Sequence, residues 1–277
     1  MTYFGFLAQF VGIPLLILLL LAWWDARRGK TLPDRLHSWP ARFVILAHVV
    51  VAVLYTTPWD NYLVATGVWW YDPTLVTGLV LGWVPIEEYT FFVLQTAAMG
   101  LLVVFLAKRL PMPSQPASAP PAQGRLRIVA TAVVAGVWLV STVVLLSGWA
   151  PGTYLTLILS WALIPVMAQM ALGADILWRY RRLVFWALVP ATLYLGWADS
   201  LAIGAGTWTI DPAQTTGVHI GSLPLEEGLF FFMTNLLVVF GVVLVLARES
   251  QSRAPVALVE FLRRVSGRSA KESPLHV

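Results

Sequence analysis

The chain has 277 residues, of which 58% are hydrophobic and only 12% are charged, against about 25% charged residues in a soluble domain. There is no cysteine, which excludes disulfide bonds, thiolate metal sites and thiol catalysis. The basic balance, with 18 Lys and Arg against 14 Asp and Glu, does not indicate nucleic-acid binding, because the basic residues lie in connecting segments and in the tail.

Apolar residues occur in blocks of about 20, the length of helix that spans a bilayer. The sequence therefore predicts an all-α integral membrane protein with seven transmembrane helices. In chain order, the predicted spans are Phe4–Trp24, Arg42–Thr57, Pro85–Ala107, Ile128–Ser147, Tyr154–Leu172, Leu183–Ala198 and Pro224–Ala247. Two long loops, Pro58–Val84 and Asp199–Leu223, precede the third and the seventh span.

Two further segments contain no span. Leu110–Gly124 holds five prolines among Ser, Ala and Gln, and this composition predicts an extended linker. The tail Arg248–Val277 is polar. Within the tail, Pro255–Val265 fits either a basic amphipathic helix that lies on the membrane or a disordered segment, and the sequence favours neither.

The distribution of basic residues predicts the orientation in the cell membrane. The segments after the first, third, fifth and seventh spans hold all 18 Lys and Arg, and the opposite side holds none. By the positive-inside rule, the N-terminus is outside, the C-terminus is cytoplasmic and both long loops lie on the outer face.

The chain contains an internal duplication. Residues 54–92 align without a gap with residues 193–231, and 15 of the 39 positions are identical. Each copy has three spans, and the fourth span restores the direction of the second copy, which gives a 3+1+3 parallel tandem repeat with a pseudo-twofold axis along the membrane normal. The predicted units are a first repeat (1–109), a linker (110–127), a connecting span (128–147), a second repeat (148–247) and a cytoplasmic tail (248–277).

Acidic residues repeat in register at the side that lacks basic residues. They are Asp60, Asp72, Glu87, Glu88, Asp199, Asp211, Glu226 and Glu227. Clustered carboxyls without counter-charges cannot all be ionised in a half-dry site, so some are expected to hold a proton and to act as general acids. The structural alternatives are helix-start electrostatics for the Glu pairs, turn formation for the Asp-Pro pairs and solvated span ends for Asp60 and Asp199.

Both Glu pairs are candidate catalytic groups. Adjacent helix residues point about 100° apart, so at most one Glu of each pair is expected to face the centre of the bundle. We expect Glu87 and Glu226, two residues after the proline, to be the proton donors.

Aromatic residues are dense near these acids and provide π faces that can stabilise a cation. The repeated candidates for this role are Trp69, Phe91, Phe92, Trp208, Phe230 and Phe231, and the alternative for each is the interfacial aromatic belt. Together these features predict a site that protonates an alkene and shelters the carbocation. The sequence contains no Gly-x-Gly-x-x-Gly motif, so we expect no redox cofactor, and we assign no metal ligands.

The duplicated Pro-[Ile/Leu]-Glu-Glu-x-x-Phe-Phe, with Asp-Pro and Gly-x-Trp upstream, resembles the heterodimer-type lycopene cyclase family in its fused, two-copy form. The resemblance covers residues 1–247. It implies a carotenoid lycopene beta-cyclase that converts the linear ψ ends of lycopene to β rings by isomerisation, with lycopene, membrane lipid and other carotenoid enzymes as partners. It leaves open C50 substrates and ε or γ rings.

Three other functions compete with a cyclase. A small 3+1+3 transporter shares the predicted layout, but its ligand site is expected at the bilayer midplane. A prenyl-diphosphate enzyme would need basic residues beside the acids to hold the diphosphate. A retinal-binding receptor would need a lysine in the seventh span, which has none.

Overall fold

The computed structural model describes residues 1–113 and 120–253, which are mostly helical. Seven helical stretches are long and apolar enough to cross a membrane, which confirms the predicted number of spans. They are Tyr3–Arg27, Asp34–Ala65, Ile86–Ala107, Gln123–Leu146, Ala150–Arg179, Arg181–Gly204 and Leu225–Leu246. The predicted segment Pro255–Val265, for which two states were left open, lies outside the described residues, as do positions 114–119 of the predicted linker.

Nine α-helices follow one another in the described residues. They are α1 (Tyr3–Phe6), α2 (Ile13–Arg27), α3 (Ala41–Ala65), α4 (Ile86–Ala107), α5 (Pro120–Leu146), α6 (Thr153–Arg179), α7 (Arg181–Gly204), α8 (Leu225–Leu246) and α9 (Arg248–Gln251). The long loops lie between α3 and α4 and between α7 and α8. A π-helical turn, Leu7–Gly12, joins α1 to α2, and short 3₁₀ turns lie at Asp34–Leu36, Ala150–Gly152 and Pro212–Gln214.

The two long loops contain short β-strands, which the all-α prediction did not include. The strands are β1 (Trp69–Tyr71), β2 (Val80–Leu81), β3 (Val84–Pro85), β4 (Trp208–Ile210), β5 (His219–Ile220) and β6 (Leu223–Pro224). β2 pairs with β3 and β5 with β6 as small hairpins, and β1 pairs antiparallel with β4 across the two loops. Aromatic and β-branched residues favour strands, and a ladder satisfies backbone groups that are partly removed from water.

The second and sixth spans are longer than predicted. α3 continues past Pro58 to Ala65, whereas the predicted span ended at Thr57, and α7 continues six residues beyond the predicted end at Ala198. Unpaired backbone groups are costly in an apolar environment, which favours continuation of the helix. Neighbouring groups satisfy the backbone carbonyl that an internal proline leaves unpaired. Trp59 and Asp60 therefore lie on a helix and not in a loop.

Both of these helices end in the same way, at a duplicated glycine. Gly67 and Gly206 have φ values of 69° and 70°, the left-handed conformation that only glycine adopts readily. After α3, the Val68 N–H donates to the Leu63 carbonyl at 2.9 Å, which is the bond expected of a Schellman cap. The equivalent bond after α7 joins Thr207 to Ala202 at 3.0 Å.

The predicted extended linker Leu110–Gly124 is wrong at its second end, because α5 already begins at Pro120. Proline is well tolerated in a first helical turn, where its missing N–H would have no helical partner. The fifth span also extends beyond the predicted Leu172 to Arg179, with non-helical backbone angles at Gly173.

α4 and α8 are the central helices of the bundle. They contact each other, α4 also packs on α2, α3 and α7, and α8 also packs on α3, α6 and α7. α8 is the most buried of the seven spans, and α5, packed along α6, is the least buried. The two Glu pairs thus start the two most buried spans, at the end of the bundle that carries both long loops, which we call the loop end.

Ion pairs hold the opposite end of the bundle. The Arg109 guanidinium donates to both oxygens of Asp25 at 2.9 and 2.8 Å and ties α4 to α2. Arg253 binds Asp175 in the same bidentate manner at 2.8 and 2.7 Å and ties the segment after α9 to α6. Three further ion pairs join Lys108 to Asp25, Arg127 to Asp175 and Arg179 to Glu249.

Candidate active site

The two Glu pairs lie in the first turns of α4 and α8. Pro85 and Pro224 precede them as the ends of β3 and β6, so each hairpin leads directly into its helix. The four Glu side chains are buried, with exposed fractions of 1% for Glu87, 8% for Glu88, 0% for Glu226 and 6% for Glu227. Four carboxyl groups therefore enter the protein interior at one end of the bundle.

The first Glu of each pair binds its own loop. Glu87 Oε1 accepts the Thr77 N–H at 2.6 Å. Glu226 Oε1 accepts both the N–H and the hydroxyl of Thr216 at 2.7 Å. These bonds explain why Thr-Gly precedes Pro-x-Glu-Glu at the same distance in both copies, because each carboxyl fixes the loop ten residues upstream.

The second Glu of each pair is bound by tyrosine hydroxyls. Glu88 Oε2 accepts hydrogen bonds from the hydroxyls of Tyr3 and, at 3.1 Å, of Tyr71. Glu227 Oε1 accepts the hydroxyl of Tyr154 at 2.6 Å. Burial, with a further contribution from the Glu88 carboxyl, raises the pKa of Tyr71 well above its usual range, so Tyr71 remains a neutral donor.

These tyrosines were not among the predicted site residues. A signal for two of them exists in the sequence, since Thr-Tyr occurs at 2–3 and again at 153–154, and Ile-Pro follows eleven residues later in both places. The offset of this match is 151 residues, whereas the loops match at 139, so an ungapped comparison at a single offset misses it.

The second Glu of each pair lines one shared cavity, which we call the carboxyl cavity. Its free volume is about 40 Å³. The lining residues are Tyr3, Phe6, Trp69, Tyr71, Glu88, Phe91, Tyr154, Asp199, Trp208, Glu227, Phe230 and Phe231. Eight of these residues were predicted for the site, whereas Glu87 and Glu226, the expected proton donors, are not in the lining.

Asp60 and Asp199 are buried beside the Glu residues, each with 1% of its surface exposed. Trp208 Nε1 donates to Asp199 Oδ1 at 3.1 Å. Within the described part of the chain, neither oxygen of Asp60 has a hydrogen-bond partner, and Asp199 Oδ2 has none. Asp199 lines the carboxyl cavity and Asp60 does not.

The structure does not bring three other predicted residues to the cavity. Asp72 and Asp211 lie in exposed turns, where hydrogen bonds from the side chains of Thr74 and Gln214, respectively, lower the pKa of each carboxyl. Both are ionised turn formers, as the structural alternative proposed. Phe92 is buried but lies outside the lining of the carboxyl cavity.

Aromatic faces surround the carboxyl cavity on both sides. Trp69 contacts Tyr154 and Phe230 with centroid distances of 5.3 and 6.5 Å. Trp208 contacts Tyr3 and Phe6 at 4.9 and 5.1 Å. Such faces stabilise a cation held within about 6 Å of a ring, provided that water is excluded.

The electrostatics of the site follow from what surrounds the carboxyls. Asp60, Glu88, Asp199 and Glu227 are buried, and no ion pair joins them to a Lys or Arg in the described residues. Isolated carboxylates in an apolar enclosure take up protons because their desolvation as ions is too costly. The arrangement can therefore deliver a proton to an apolar molecule, accept one from it and stabilise positive charge in between.

Comparison with known proteins points to one family. The family model described as lycopene cyclase matches residues 1–110 and 151–246. A lycopene beta-cyclase of Halobacterium salinarum is 40% identical over 253 residues, which cover 89% of this chain and 98% of the relative. Bifunctional lycopene cyclase/phytoene synthases of Phaeosphaeria nodorum and Aspergillus niger are 37% and 36% identical over 72% and 70% of this chain, and over 35% and 33% of their own lengths. No solved structure matches the chain.

Proposed function

The chain belongs to the lycopene cyclase family, and we propose that it is a lycopene beta-cyclase, an intramolecular lyase that isomerises the linear ψ ends of lycopene to β rings. Lycopene is the substrate that the family supports. The observation that carries the proposal is that Glu88 and Glu227, one from each copy, line a single aromatic cavity.

One shared site uses both copies. Glu88 and Glu227 start the two central helices and line the same enclosure, so one carboxyl can donate a proton while the other, as a carboxylate, accepts one. Each is a carboxyl of the kind that serves as a general acid when an apolar site keeps it neutral. Glu87 and Glu226, which bind the loops, hold the geometry of the cavity.

The reaction neither gains nor loses atoms. The protonated carboxyl transfers its proton to C2 of the terminal C1=C2 bond, which leaves a cation at C1. The π electrons of C5=C6 then form the C1–C6 bond and leave a cation at C5. Loss of the C6 proton to the second carboxylate restores C5=C6 inside the new ring. One proton enters, one leaves, and no oxidant or reductant is consumed.

The aromatic lining stabilises both cations. Trp69 and Trp208, one from each copy, line the cavity together with Phe91 of α4 and with Phe230 and Phe231 of α8. A cation over such a face gains about 2 kcal/mol when it is desolvated, against about 0.5–1 kcal/mol at an exposed site. A substrate end group that fills the cavity displaces water, which would otherwise trap the cation as an alcohol.

We also propose the 3+1+3 arrangement, in which α1–α4 and α6–α8 are related by a pseudo-twofold axis. The ladder between β1 and β4 supports it, because a shift of 139 residues exchanges the pair Trp69–Ile210 with the pair Tyr71–Trp208. The central pair, Trp70–Thr209, maps onto itself, so the axis would pass through it.

A second pair of bonds supports the same axis. The Tyr55 hydroxyl donates to the Trp161 carbonyl at 2.9 Å, and the equivalent Tyr194 donates to the equivalent Phe10 carbonyl at 3.0 Å. Each bond joins a helix of one copy to a helix of the other.

The direct test of the function is expression in a bacterium that accumulates lycopene. We expect lycopene to be replaced by γ-carotene and then by β-carotene in pigment chromatography, because the site carries both the acid and the base that the isomerisation needs. Unchanged lycopene, with the protein shown to be inserted in the membrane, would refute the assignment. Products with ε or γ rings would correct the ring type only.

Substitution of each Glu by Gln distinguishes the roles of the two residues in a pair. Gln keeps the size of the side chain and removes the transferable proton. We expect Glu88→Gln and Glu227→Gln each to lower the cyclisation rate by about 10²–10⁴-fold, the usual worth of general acid–base catalysis. Glu87→Gln and Glu226→Gln keep an oxygen for the loop N–H groups and are the matched controls, with losses of less than about tenfold. Rates are measured as product formed per amount of membrane-inserted protein. A larger loss in the controls than in the other two variants would reverse this assignment.

The tyrosines allow a finer test. Tyr154→Phe removes the one phenol that binds Glu227 among the described residues, and we expect a loss of about 10–100-fold, since a hydrogen bond to a charged group is worth about 1.5–3 kcal/mol. Tyr3→Phe leaves Glu88 with the bond from Tyr71, so the loss is smaller.

Both variants should also change the pH dependence of the rate, because each lost hydroxyl binds a titrating carboxyl. The control is Tyr180→Phe, which removes a buried hydroxyl at the opposite end of the bundle and should leave the rate and its pH dependence unchanged. Equal effects of all three variants would mean that the tyrosines act only through folding.

The orientation in the membrane can be measured by labelling single introduced cysteines, because the chain has no cysteine of its own. We propose that the loop end is outside, from the one-sided distribution of Lys and Arg. Single variants Thr66→Cys and Ala205→Cys should react with a membrane-impermeant maleimide in intact cells, and Thr31→Cys only after lysis. If only Thr31→Cys is labelled in intact cells, the orientation is the opposite of the one proposed.

A further inference from the structure

A second, larger cavity lies beside the carboxyl cavity. It is a groove of about 390 Å³ between α3, α4, α6 and α8, which we call the lateral groove. α3 contributes residues 47, 48, 51, 52, 55 and 56, a helical stripe that faces the groove along its length. Most of the lining is apolar, with Val51, Ala52, Pro165 and Val238 among its walls.

The groove is open at its side and closed at its base. Val51 and Tyr55, on its rim, are 62% and 37% exposed, and they face the surroundings of the bundle, where the spans would meet lipid. Phe91, Phe92 and Phe230, at its base, are buried. A molecule can thus enter from the hydrocarbon region without passing through water.

Two residues connect the groove to the carboxyl cavity. Phe91 and Phe230 belong to the lining of both. The carboxyl cavity, at about 40 Å³, has room for little more than a water molecule. A terminal group that reacts there must therefore displace aromatic side chains, and the remainder of its molecule must lie in a neighbouring space.

The groove has the length and the surface for that remainder. On α8 its lining runs from Phe230 to Val245, which at 1.5 Å per residue corresponds to about 22 Å. This is most of the hydrocarbon core of a bilayer, which is about 30 Å thick. The stacked rings of Tyr55 and Trp161, with centroids 5.5 Å apart, give part of the wall a flat π surface.

We propose that the lateral groove binds the conjugated chain of the linear carotenoid while one of its end groups occupies the carboxyl cavity. This inference rests on the proposed function and adds the path and the binding site of the substrate. It follows that the two ends are cyclised one at a time. After the first ring has formed, the molecule leaves through the open side and returns with its other end first, so the one-ring product is a free intermediate.

The test uses neighbouring valines on α3. Val51 lines the groove, whereas Val50 is 50% exposed one position away and does not line it. Val51→Trp should obstruct the groove and lower cyclisation in a lycopene-producing bacterium at least tenfold. Val50→Trp adds the same side chain towards the lipid and should stay within twofold of the unmodified chain. Equal rates or equal losses in the two variants, at equal amounts of inserted protein, would overturn the groove as the binding site.

A binding measurement separates this inference from the chemistry. The double variant Glu88→Gln, Glu227→Gln should retain lycopene through purification in detergent, seen by its absorbance at a ratio near one per chain. Addition of Val51→Trp should remove the pigment, and addition of Val50→Trp should not. Pigment that stays bound with Val51→Trp, or a groove that retains only lipid chains, would overturn the proposal. If the unmodified chain binds the pigment but does not cyclise lycopene, the groove is upheld as a binding site and the proposed function is rejected.

Discussion

The structure depends on how one oxygen of each of the four Glu carboxyls at the loop end is bound without a cation, while Glu87 Oε2, Glu226 Oε2 and both oxygens of Asp60 have no hydrogen-bond partner in the described residues. No Lys or Arg pairs with them in the described residues, so hydroxyl and backbone N–H groups take that role. Glu87 and Glu226 accept backbone N–H groups and thereby fix the two loops. The loops then carry the β1–β4 ladder, which covers the cavity, and Tyr71, which binds Glu88. Loss of one of these bonds would leave a buried oxygen unpaired, at about 1–3 kcal/mol.

Duplication gives this site two carboxyls, and divergence makes them different. The residue equivalent to Tyr71 in the second copy is Ile210, which has no hydroxyl. Glu88 therefore accepts two phenol bonds and Glu227 only one. A symmetric pair would give both carboxyls the same affinity for a proton, whereas an acid and a base in one reaction need different affinities. The two carboxyls of the pseudo-symmetric cavity therefore differ in their hydrogen-bond partners.

The sequence was sufficient for the number of spans, whereas the choice within each Glu pair stays a prediction. The apolar blocks and the repeat at an offset of 139 residues are patterns in the sequence, so both can be recognised from a single sequence. Which of two adjacent residues faces the centre depends on the rotation of the helix about its axis, and that rotation depends on the neighbouring helices, which are α2, α3, α7 and α8 for α4. The sequence does not contain this rotation, so the preference for Glu87 and Glu226 was not based on it. Tyr3 and Tyr154 were missed because the connection between the first two spans of a copy is 12 residues longer in the first copy, which changes the offset of the match. The extension of α3 past Pro58 was missed because a helix breaker in water is tolerated between packed apolar helices.

The position of the proposed site at the loop end fits the chemistry that we propose for it. A carbocation survives only where water is scarce, yet the acid must at some time have received its proton from water. In the proposed cycle one carboxyl loses a proton and the other gains one, so the pair must exchange protons before the next turnover. An enclosure just inside the end of the bundle, closed by a two-stranded ladder and connected to the apolar interior by Phe91 and Phe230, meets both requirements. At the midplane the carboxyls would be drier, but proton exchange with water before the next turnover would be slower. In the open loops they would be solvated and ionised, as Asp72 and Asp211 are.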